Sequence, residues 1–469
     1  MIKFGTGGWR AIIGDEFTKE NIQILTKAIC NKMVEEKVNH EEVVLGYDRR
    51  FLSKESMQWA AEVFAGANIK AKLINKSVPT PVVMYYVMKN KLHYGMVITA
   101  SHNPAIYNGI KVFTYGGRDA DERQTVEIEN HIKNVTKPVP TLSYAEGKKK
   151  SLIEEIYPLN DYLDSIIKNI DMEAIRSRSL RIALDPMYGV SETSLKTILL
   201  TARCDVETIH EYHDTLFGGR LPAPNTETIK DLQLHVTSHN LDLGIATDGD
   251  ADRLGIVDDT GRFLHPNDIL VLLYYYLIKY KKWKGPVVRN ICTTHMLDME
   301  AKSFGEECYE VPVGFKYISA KMQDTNAVLG GESSGGLTVR GHIHGKDGVY
   351  AATLLVEMIA VTGKKLSELY QEIVAEFGEL YMEERSYSFT KEKKEEIHQS
   401  LLVEKKLPNL PYEIAKVSYL DGCKIYFRNG GWVCARFSGT EPLLRIFCEM
   451  NNKEDAIEVC KIFEGDLEL

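Results

Sequence analysis

Leu243-Gly-Ile-Ala-Thr-Asp-Gly-Asp-Ala-Asp-Arg253 runs directly into Leu254-Gly-Ile-Val257. An apolar run gives way to a short polar loop and then to a second apolar run. The pattern stands twice more. Met96-Val-Ile-Thr-Ala-Ser-His-Asn-Pro104 leads to Gly109-Ile-Lys-Val-Phe113, and Ala327-Val-Leu-Gly-Gly-Glu-Ser-Ser-Gly335 leads to Leu337-Thr-Val339. The loops lie about 150 and about 80 residues apart, too far for a short-period solenoid. Three such units predict three related α/β domains. Each would offer one polar loop at a strand end, where ligands bind in sheets of this kind.

The surrounding sequence agrees. Strand-like runs at 42–48, 70–75 and 95–100 alternate with helix-like runs at 53–66, with Ser53 as a candidate cap, and at 81–90. That alternation implies βαβ units. Pro138, Pro140 and Gly147-Lys-Lys-Lys150 read as a linker. A second block has strands at 181–185, 205–209 and 241–247. A third starts near Pro266, with strands at 286–291 and 327–329 and a helix from 347 to about 361. The charge-rich 391–406 reads as helix. Consecutive strands follow at 423–427, 432–437 and 444–450, then a last helix from Lys453, which is an α+β pattern. The expected domains are 1–145, 146–257, 258–375 and 376–469. At roughly 100–200 residues per domain, 469 residues suit about three or four.

Composition narrows the function classes. With 44% hydrophobic and 26% charged residues the chain reads as a soluble globular protein, not a disordered or fibrous one. Net charge is −9, from 66 acids and 57 bases, the reverse of a general nucleic-acid binder. Local basic clusters could still bind a small anion. The longest apolar run, 269–278, is far short of the about 20 residues that span a bilayer. The N-terminus has no signal-peptide apolar region, and eight scattered cysteines without a C-x-x-C predict free thiols in the cytoplasm.

The loops carry the chemistry. Asp248, Asp250 and Asp252, at alternate positions after a buried strand, can converge on a hard cation such as Mg²⁺ or Ca²⁺. An EF-hand is excluded, because Arg253 stands where that loop needs glycine and the flanks read as strands. A solvated acidic turn is disfavoured, since three close carboxylates repel unless neutralised. Paired aspartates at a strand end also suit an aspartyl-phosphate phosphatase. Ser101 follows a buried strand beside His102, and serine needs a base or a metal to act as a nucleophile. Gly331-Glu-Ser-Ser-Gly335 matches G-x-S-x-G, but its exit reads as a turn into a strand, not the helix of a nucleophile elbow. Glu332 and Ser334 there are acceptors for sugar hydroxyls. Arg436-Phe-Ser-Gly-Thr-Glu-Pro442, with Arg445 beyond, combines open N–H groups, hydroxyls and guanidinium forks, a plausible phosphate cradle. Arg10, Lys111, Lys316 and Lys346 are basic residues near glycine-rich turns. Neither G-x-x-x-x-G-K-[ST] nor a strand-linked G-x-G-x-x-G occurs, so ATP and NAD lack their usual signatures.

With these loops and the opening Phe4-Gly-Thr-Gly-Gly-Trp-Arg10, the chain resembles the α-D-phosphohexomutase superfamily along essentially its whole length. The resemblance implies three related α/β domains with mixed sheets and a smaller C-terminal α+β domain around a central cleft. It implies Ser101 as the phosphoserine, with Asp248, Asp250 and Asp252 holding Mg²⁺ together with a phosphoserine oxygen. Glu332 and Ser334 would grip the sugar, with Lys316 and Lys346 also binding substrate. Arg436, Ser438, Gly439, Thr440 and Arg445 would hold the distal phosphate. Arg10, His102, Lys111 and Arg253 would surround the transferring group, with Lys111 or His102 handling the proton. The implied reaction interconverts hexose 1-phosphate and hexose 6-phosphate through a hexose 1,6-bisphosphate, which also serves as activator. Gly336 stands where phosphomannomutases and aminosugar mutases carry His, and Gly345-Lys-Asp-Gly348 and Val313-Gly-Phe-Lys316 resemble glucose-type members. Ser333, where those usually carry Glu, keeps mannose, dual specificity and a pentose phosphate in play. The expected partner is a small hexose phosphate, without nucleic acid or membrane; oligomeric state is not fixed by the sequence.

Overall fold

The structure, a computed structural model, describes residues 2–5, 8–438 and 443–469. The chain forms two compact units, Met1–Ile269 with Ser334–Glu368, and Leu270–Ser333 with Leu369–Leu469. The expected class is what it builds: three α/β domains followed by a smaller one with an antiparallel sheet.

In the first unit, one sheet contains β1 (Trp9–Ile12), β2 (Val43–Tyr47), β3 (Ala71–Ile74), β4 (Tyr94–Ile98), β5 (Tyr107–Thr114), β6 (Arg118–Asp119) and β7 (Ile153–Ile156). Its order is β1-β5-β4-β2-β3-β7, with β6 beside β5. β4, β2, β3 and β7 run parallel to one another, whereas β5 is antiparallel to both β4 and β1. β2 and β4 are buried along their whole length, which explains their unbroken apolar sequence. Helix Lys19–Glu35, capped by the Thr18 side chain, turns Ile22, Leu25, Ile29 and Met33 into the core at helical spacing.

The second sheet contains β8 (Arg181–Asp185), β9 (Asp205–Thr208), β10 (Leu243–Thr247), β11 (Leu254–Val257) and β12 (Phe263–Leu264), in the order β12-β11-β10-β8-β9. β10 and β8 are parallel, β10 and β11 antiparallel. In both sheets an antiparallel pair, β4–β5 or β10–β11, flanks a polar loop, so the repeat seen in sequence is a repeat in topology.

In the second unit, β13 (Val287–Asn290) lies parallel between β14 (Cys308–Val311) and β15 (Leu329–Gly331). β16 (Leu337–Val339) follows after the chain has returned to the first unit. The C-terminal sheet is antiparallel throughout: β17 (Tyr381–Ser388), β21 (Leu443–Met450), β20 (Trp432–Phe437), β19 (Cys423–Phe427) and β18 (Ile414–Ser418), in that spatial order. Helix Lys453–Leu467 closes one face with Val459, Cys460 and Phe463.

Four local expectations are corrected. Ser53 does not cap its helix; Leu52 occupies that position at φ 62°, and the Ser53 hydroxyl donates to Asp48 instead. The 147–150 stretch is no linker but the end of helix Tyr144–Lys149, whose buried Gly147 packs on Ile153. The 391–406 helix is α-helical only over Lys391–Ile397 and widens to a π-helical turn over His398–Val403. β17 and β18 escaped the reading because neither presents an apolar face: β17 is Tyr-Met-Glu-Glu-Arg-Ser-Tyr-Ser and has no buried residue. All eight cysteines are free thiols. Among the described residues no helix is long and apolar enough to cross a membrane.

Candidate active site

Ser101 sits in the loop after β4, fully buried, with φ 52°. That left-handed conformation costs a non-glycine residue on the order of 1–2 kcal/mol, so surrounding contacts must hold it. The buried guanidinium of Arg50 does so. Its Nη2 donates to the carbonyls of Ser101 and Asn103, both at 2.6 Å, and its Nη1 to those of Pro104 (2.9 Å) and Tyr107 (3.1 Å). Asp48 supports the same loop: its Oδ2 accepts from Thr99 Oγ1 (2.6 Å) and faces Arg50 Nε at 3.3 Å. Thr99 Oγ1 in turn accepts the Ser101 N–H (2.9 Å). One guanidinium thus gathers four carbonyls of one loop, an arrangement the single charge of lysine could not copy.

The loop after β10 meets this one within the first unit. The Ser101 hydroxyl donates to Asp248 Oδ2 at 2.8 Å. Gly249 passes so near that a Cβ would lie 2.8 Å from the Ser101 carbonyl oxygen, so only glycine fits there. Asp248 Oδ1 accepts the N–H groups of Asp252 (3.1 Å) and Arg253 (3.0 Å), which curls the loop and brings the three carboxylates round. Their ligand atoms lie within 4.8 Å of one another, all buried.

Cations surround this triad. Lys111, buried on β5, donates to Asp250 Oδ2 and Asp252 Oδ2, both at 2.6 Å. Thr80 Oγ1 donates to the same Asp250 oxygen at 2.6 Å, and Lys346 Nζ stands 3.1 Å from Asp252 Oδ2. Asp250 Oδ1 and Asp252 Oδ1, however, are buried acceptors without a hydrogen-bond partner among the described residues. Two unfilled oxygens on adjacent carboxylates are what a hard divalent cation requires, so the residues present fit Mg²⁺.

The electrostatics divide the site. Burial, then Asp250 and Asp252, raise the Asp248 pKa. For Asp250 and Asp252 burial also opposes charge, but Lys111, joined by Thr80 at Asp250 and by Lys346 and Arg253 at Asp252, holds both below the ordinary carboxylate range. Lys111 is depressed by burial and raised more strongly by those two aspartates, so it stays protonated. His102, with Nδ1 3.3 Å from Ser101 Oγ, is driven well below the ordinary imidazole value by burial and by Arg253, Arg10 and Lys346. It is therefore neutral near pH 7. Arg10 is anchored to the same loop, its Nη1 donating to Asn103 Oδ1 at 2.6 Å.

The structure brings Ser101, His102, Lys111, Arg10, Arg253, Lys346 and the three aspartates together in the first unit. Ser334, Gly335 and Gly336 also belong to the first unit, where the Gly335 carbonyl accepts from Leu254 N (3.1 Å). The turn leads into β16, a strand, as a nucleophile elbow would not. Glu332, Lys316, Arg436, Ser438 and Arg445 lie in the second unit. There Glu332 Oε1 accepts from Asn290 Nδ2 and Gly314 N, both at 3.1 Å. Lys316 lies in the first turn of helix Phe315–Thr325, its Nζ 5.0 Å from the Tyr317 ring centre. Arg436 on β20 and Arg445 on β21 are directly opposed across the sheet. Like charges in that register repel. Asp421 offsets part of this at 3.3 Å from Arg436 Nη2, and an anion would offset more. Gly439 and Thr440 lie outside the described residues.

Sequence reasoning missed Asp48, Arg50 and Thr80. Asp48-Arg49-Arg50, polar at the end of a buried strand, was the available signal.

Comparison with known proteins agrees. Family models for phosphoglucomutase/phosphomannomutase match in order: alpha/beta/alpha domain I over residues 1–139, domain II over 160–261, domain III over 265–377 and the C-terminal domain over 391–464. A phosphoglucomutase/phosphomannomutase of Thermococcus kodakarensis is 30% identical over 461 residues, covering 98% of this chain and 97% of its own. A phosphoglucosamine/phosphogalactosamine mutase of Sulfurisphaera tokodaii is 28% identical, covering 98% and 99%. The crystal structure of a candidate phosphomannomutase from Thermus thermophilus superposes with a TM-score of 0.86 at 28% identity, covering 100% of this chain and 99% of that one.

Proposed function

The chain belongs to the phosphoglucomutase/phosphomannomutase family, whose members are isomerases that transfer a phosphoryl group within a sugar phosphate, and on that premise we propose that it interconverts glucose 1-phosphate and glucose 6-phosphate through a phosphorylated Ser101. The observation that carries the reading is the buried Ser101 hydroxyl 2.8 Å from Asp248, beside two carboxylate oxygens that accept no hydrogen bond from the described residues.

Phosphoryl transfer depends on positioning and on neutralised charge more than on covalent help. Asp248, Asp250 and Asp252, with an oxygen of the Ser101 phosphate, would hold Mg²⁺, which when bound supplies positive charge against the transferring group. Arg50 fixes the Ser101 backbone, so the nucleophile starts in position. Lys111 stays charged and acts electrostatically rather than as a base. The neutral imidazole of His102 can take the proton of the attacking sugar hydroxyl at whichever ring nitrogen carries the lone pair. Arg10 and Arg253 add positive charge around the transferring phosphate. Arg436, Ser438, Gly439, Thr440 and Arg445 hold the distal phosphate, and Glu332, Ser334, Lys316 and Lys346 bind the rest of the substrate. The hexose 1,6-bisphosphate formed by the first transfer must turn round before the second, and traces of it prime an unphosphorylated enzyme.

For the sugar, the support is local. Gly336 stands in place of the His of mannose and aminosugar members, and the Lys346 side chain fills the space beside it, with Cδ 2.2 Å from where a Cβ would lie. An aminosugar phosphate is the second reading, favoured by the name of the Sulfurisphaera tokodaii relative. The four family segments support four domains; the first sheet takes in β7 (Ile153–Ile156) and the second β12 (Phe263–Leu264), past the expected ends at 145 and 257. Free thiols throughout support a reducing compartment, the cytoplasm.

The test supplies purified protein with Mg²⁺, a trace of glucose 1,6-bisphosphate, and glucose, mannose or glucosamine 1-phosphate. Glucose 6-phosphate should form fastest, with no phosphate released, and Ser101→Ala should abolish turnover. Faster turnover of glucosamine 1-phosphate would replace the sugar assignment. Turnover surviving in Ser101→Ala, with phosphate released, would establish a phosphatase instead.

A further inference from the structure

A second group of metal-type ligands lies on the edge of the second sheet, outside the site described above. His235-Val-Thr-Ser-His239 ends helix Lys230–His239. Residues four apart share one face of a helix, and here both imidazoles turn toward Glu207 on β9. His235 Nε2 stands 2.8 Å from Glu207 Oε2, and His239 Nδ1 contacts the same oxygen. The two rings lie 4.2 Å apart at 57°. One ligand atom from each residue falls within 4.8 Å of the others.

From this geometry we infer a transition-metal site formed by Glu207, His235 and His239, with Zn²⁺ the ion it suits best. Two imidazoles and one carboxylate are borderline ligands that suit Zn²⁺, Ni²⁺ or Cu²⁺, in contrast to the all-oxygen aspartate triad. Zinc bonds of about 2.0–2.1 Å in a tetrahedron set neighbouring ligand atoms about 3.3 Å apart. His235 Nε2 and Glu207 Oε2, 2.8 Å apart, are closer than that, so the side chains must rotate apart slightly to admit the ion. Metal binding needs a lone pair on each contacting nitrogen, so His235 would carry its proton on Nδ1 and His239 on Nε2. Both tautomers are neutral. The other carboxylate oxygen, Glu207 Oε1, lies 3.6 Å from Arg181 Nη2, and Arg181 Nε lies 3.9 Å from Asp205 Oδ2. That contact holds the Glu207 head in place and leaves Oε2 to the metal.

The site has a definite structural consequence. β9 is the edge strand of its sheet, half-exposed along most of its length. An ion bonded to Glu207 on β9 and to two histidines of the helix ties that edge to the body of the domain. Zinc then raises the stability of the protein without taking part in turnover.

The experiment titrates Zn²⁺ into the full-length protein by calorimetry, with Mg²⁺ at saturating concentration. Wild type should bind one equivalent of zinc and melt at a higher temperature in its presence. His235→Ala with His239→Ala should lose both effects, Glu207→Gln should bind at least about tenfold more weakly, and all should keep wild-type mutase turnover in Mg²⁺. Zinc binding unchanged in the double variant, or no zinc bound by wild type, would overturn the assignment. The outcome is independent of the sugar and of the role of Ser101.

Discussion

Two buried charge clusters, one in each unit, use the same side chains to opposite ends. Around Asp248, Asp250 and Asp252 the carboxylates crowd together, and two of their oxygens accept no hydrogen bond from the described residues. In the second unit Glu310 spends both oxygens: Oε2 accepts from Lys424 Nζ (2.7 Å) and Arg289 Nη1 (2.6 Å), and Oε1 accepts from the Tyr426 hydroxyl. Arg289 also forms a two-pronged pair with Asp298 (2.6 and 2.9 Å). Lys424, almost wholly buried on β19, further donates to the Ile291 carbonyl (2.6 Å) and lies 4.0 Å from the Trp432 ring centre. This second cluster ties β19 to β13 and β14, and both Glu310 oxygens already accept hydrogen bonds. Charge burial alone does not mark a site; unfilled acceptors beside a buried nucleophile do.

The sharpest way to break the comparison is to neutralise one member of each cluster. Asp250→Asn should lower Mg²⁺-dependent turnover by about 10²–10³-fold. Asn keeps an oxygen for Lys111 and Thr80, and Lys111 keeps Asp252, so stability in urea should fall by only about 1 kcal/mol. Lys424→Met should do the reverse. It strips one cation from half-buried Glu310, which keeps Arg289 and Tyr426, and should cost about 2 kcal/mol of stability in the same urea experiment. Turnover per folded molecule should stay within a few-fold of wild type. Equal stability losses from the two variants would erase the distinction.

A smaller effect sharpens it. His295 packs on Tyr426 and Trp432 in the second cluster, and burial, then the Arg289 and Lys424 charges, push its pKa down to about 3. Between that value and the ordinary imidazole value of about 6.5, the unfolded chain binds a proton that the folded protein refuses. The contribution of His295 is therefore complete above about pH 6.5 and is lost as pH falls toward 3, at up to about 1.4 kcal/mol per pH unit. His295→Gln should flatten the pH dependence of unfolding by one proton across that window. An unchanged slope would mean that His295 is protonated in the folded protein.

The two clusters were unequally legible in the sequence. The triad and Ser101 stood out because polar loops interrupt buried strands, and sequence neighbours supply most of each loop. Lys111 was named, although only the structure shows it buried on β5 between two aspartates. Arg50 was not, because its partners are carbonyls some fifty residues away and backbone carries no sequence signal. Lys424 in Cys-Lys-Ile-Tyr-Phe alternates as a solvent-facing lysine would; only the packing of β19 against β13 and β14 turns it inward. Ser53 was misread for a similar reason, since its hydroxyl follows a distant demand from Asp48 and not the local need of a helix end.

The most direct test follows the phosphoryl group itself. Full-length protein would be incubated with Mg²⁺ and glucose 1,6-bisphosphate, digested, and its peptides analysed by mass spectrometry, before and after a chase with glucose 6-phosphate. One phosphoryl group on Ser101, returned to the sugar during the chase without release of inorganic phosphate, is the predicted result. A phosphoryl group on Asp248 or Asp250, or an unmodified Ser101 in enzyme that is turning over, would contradict the account.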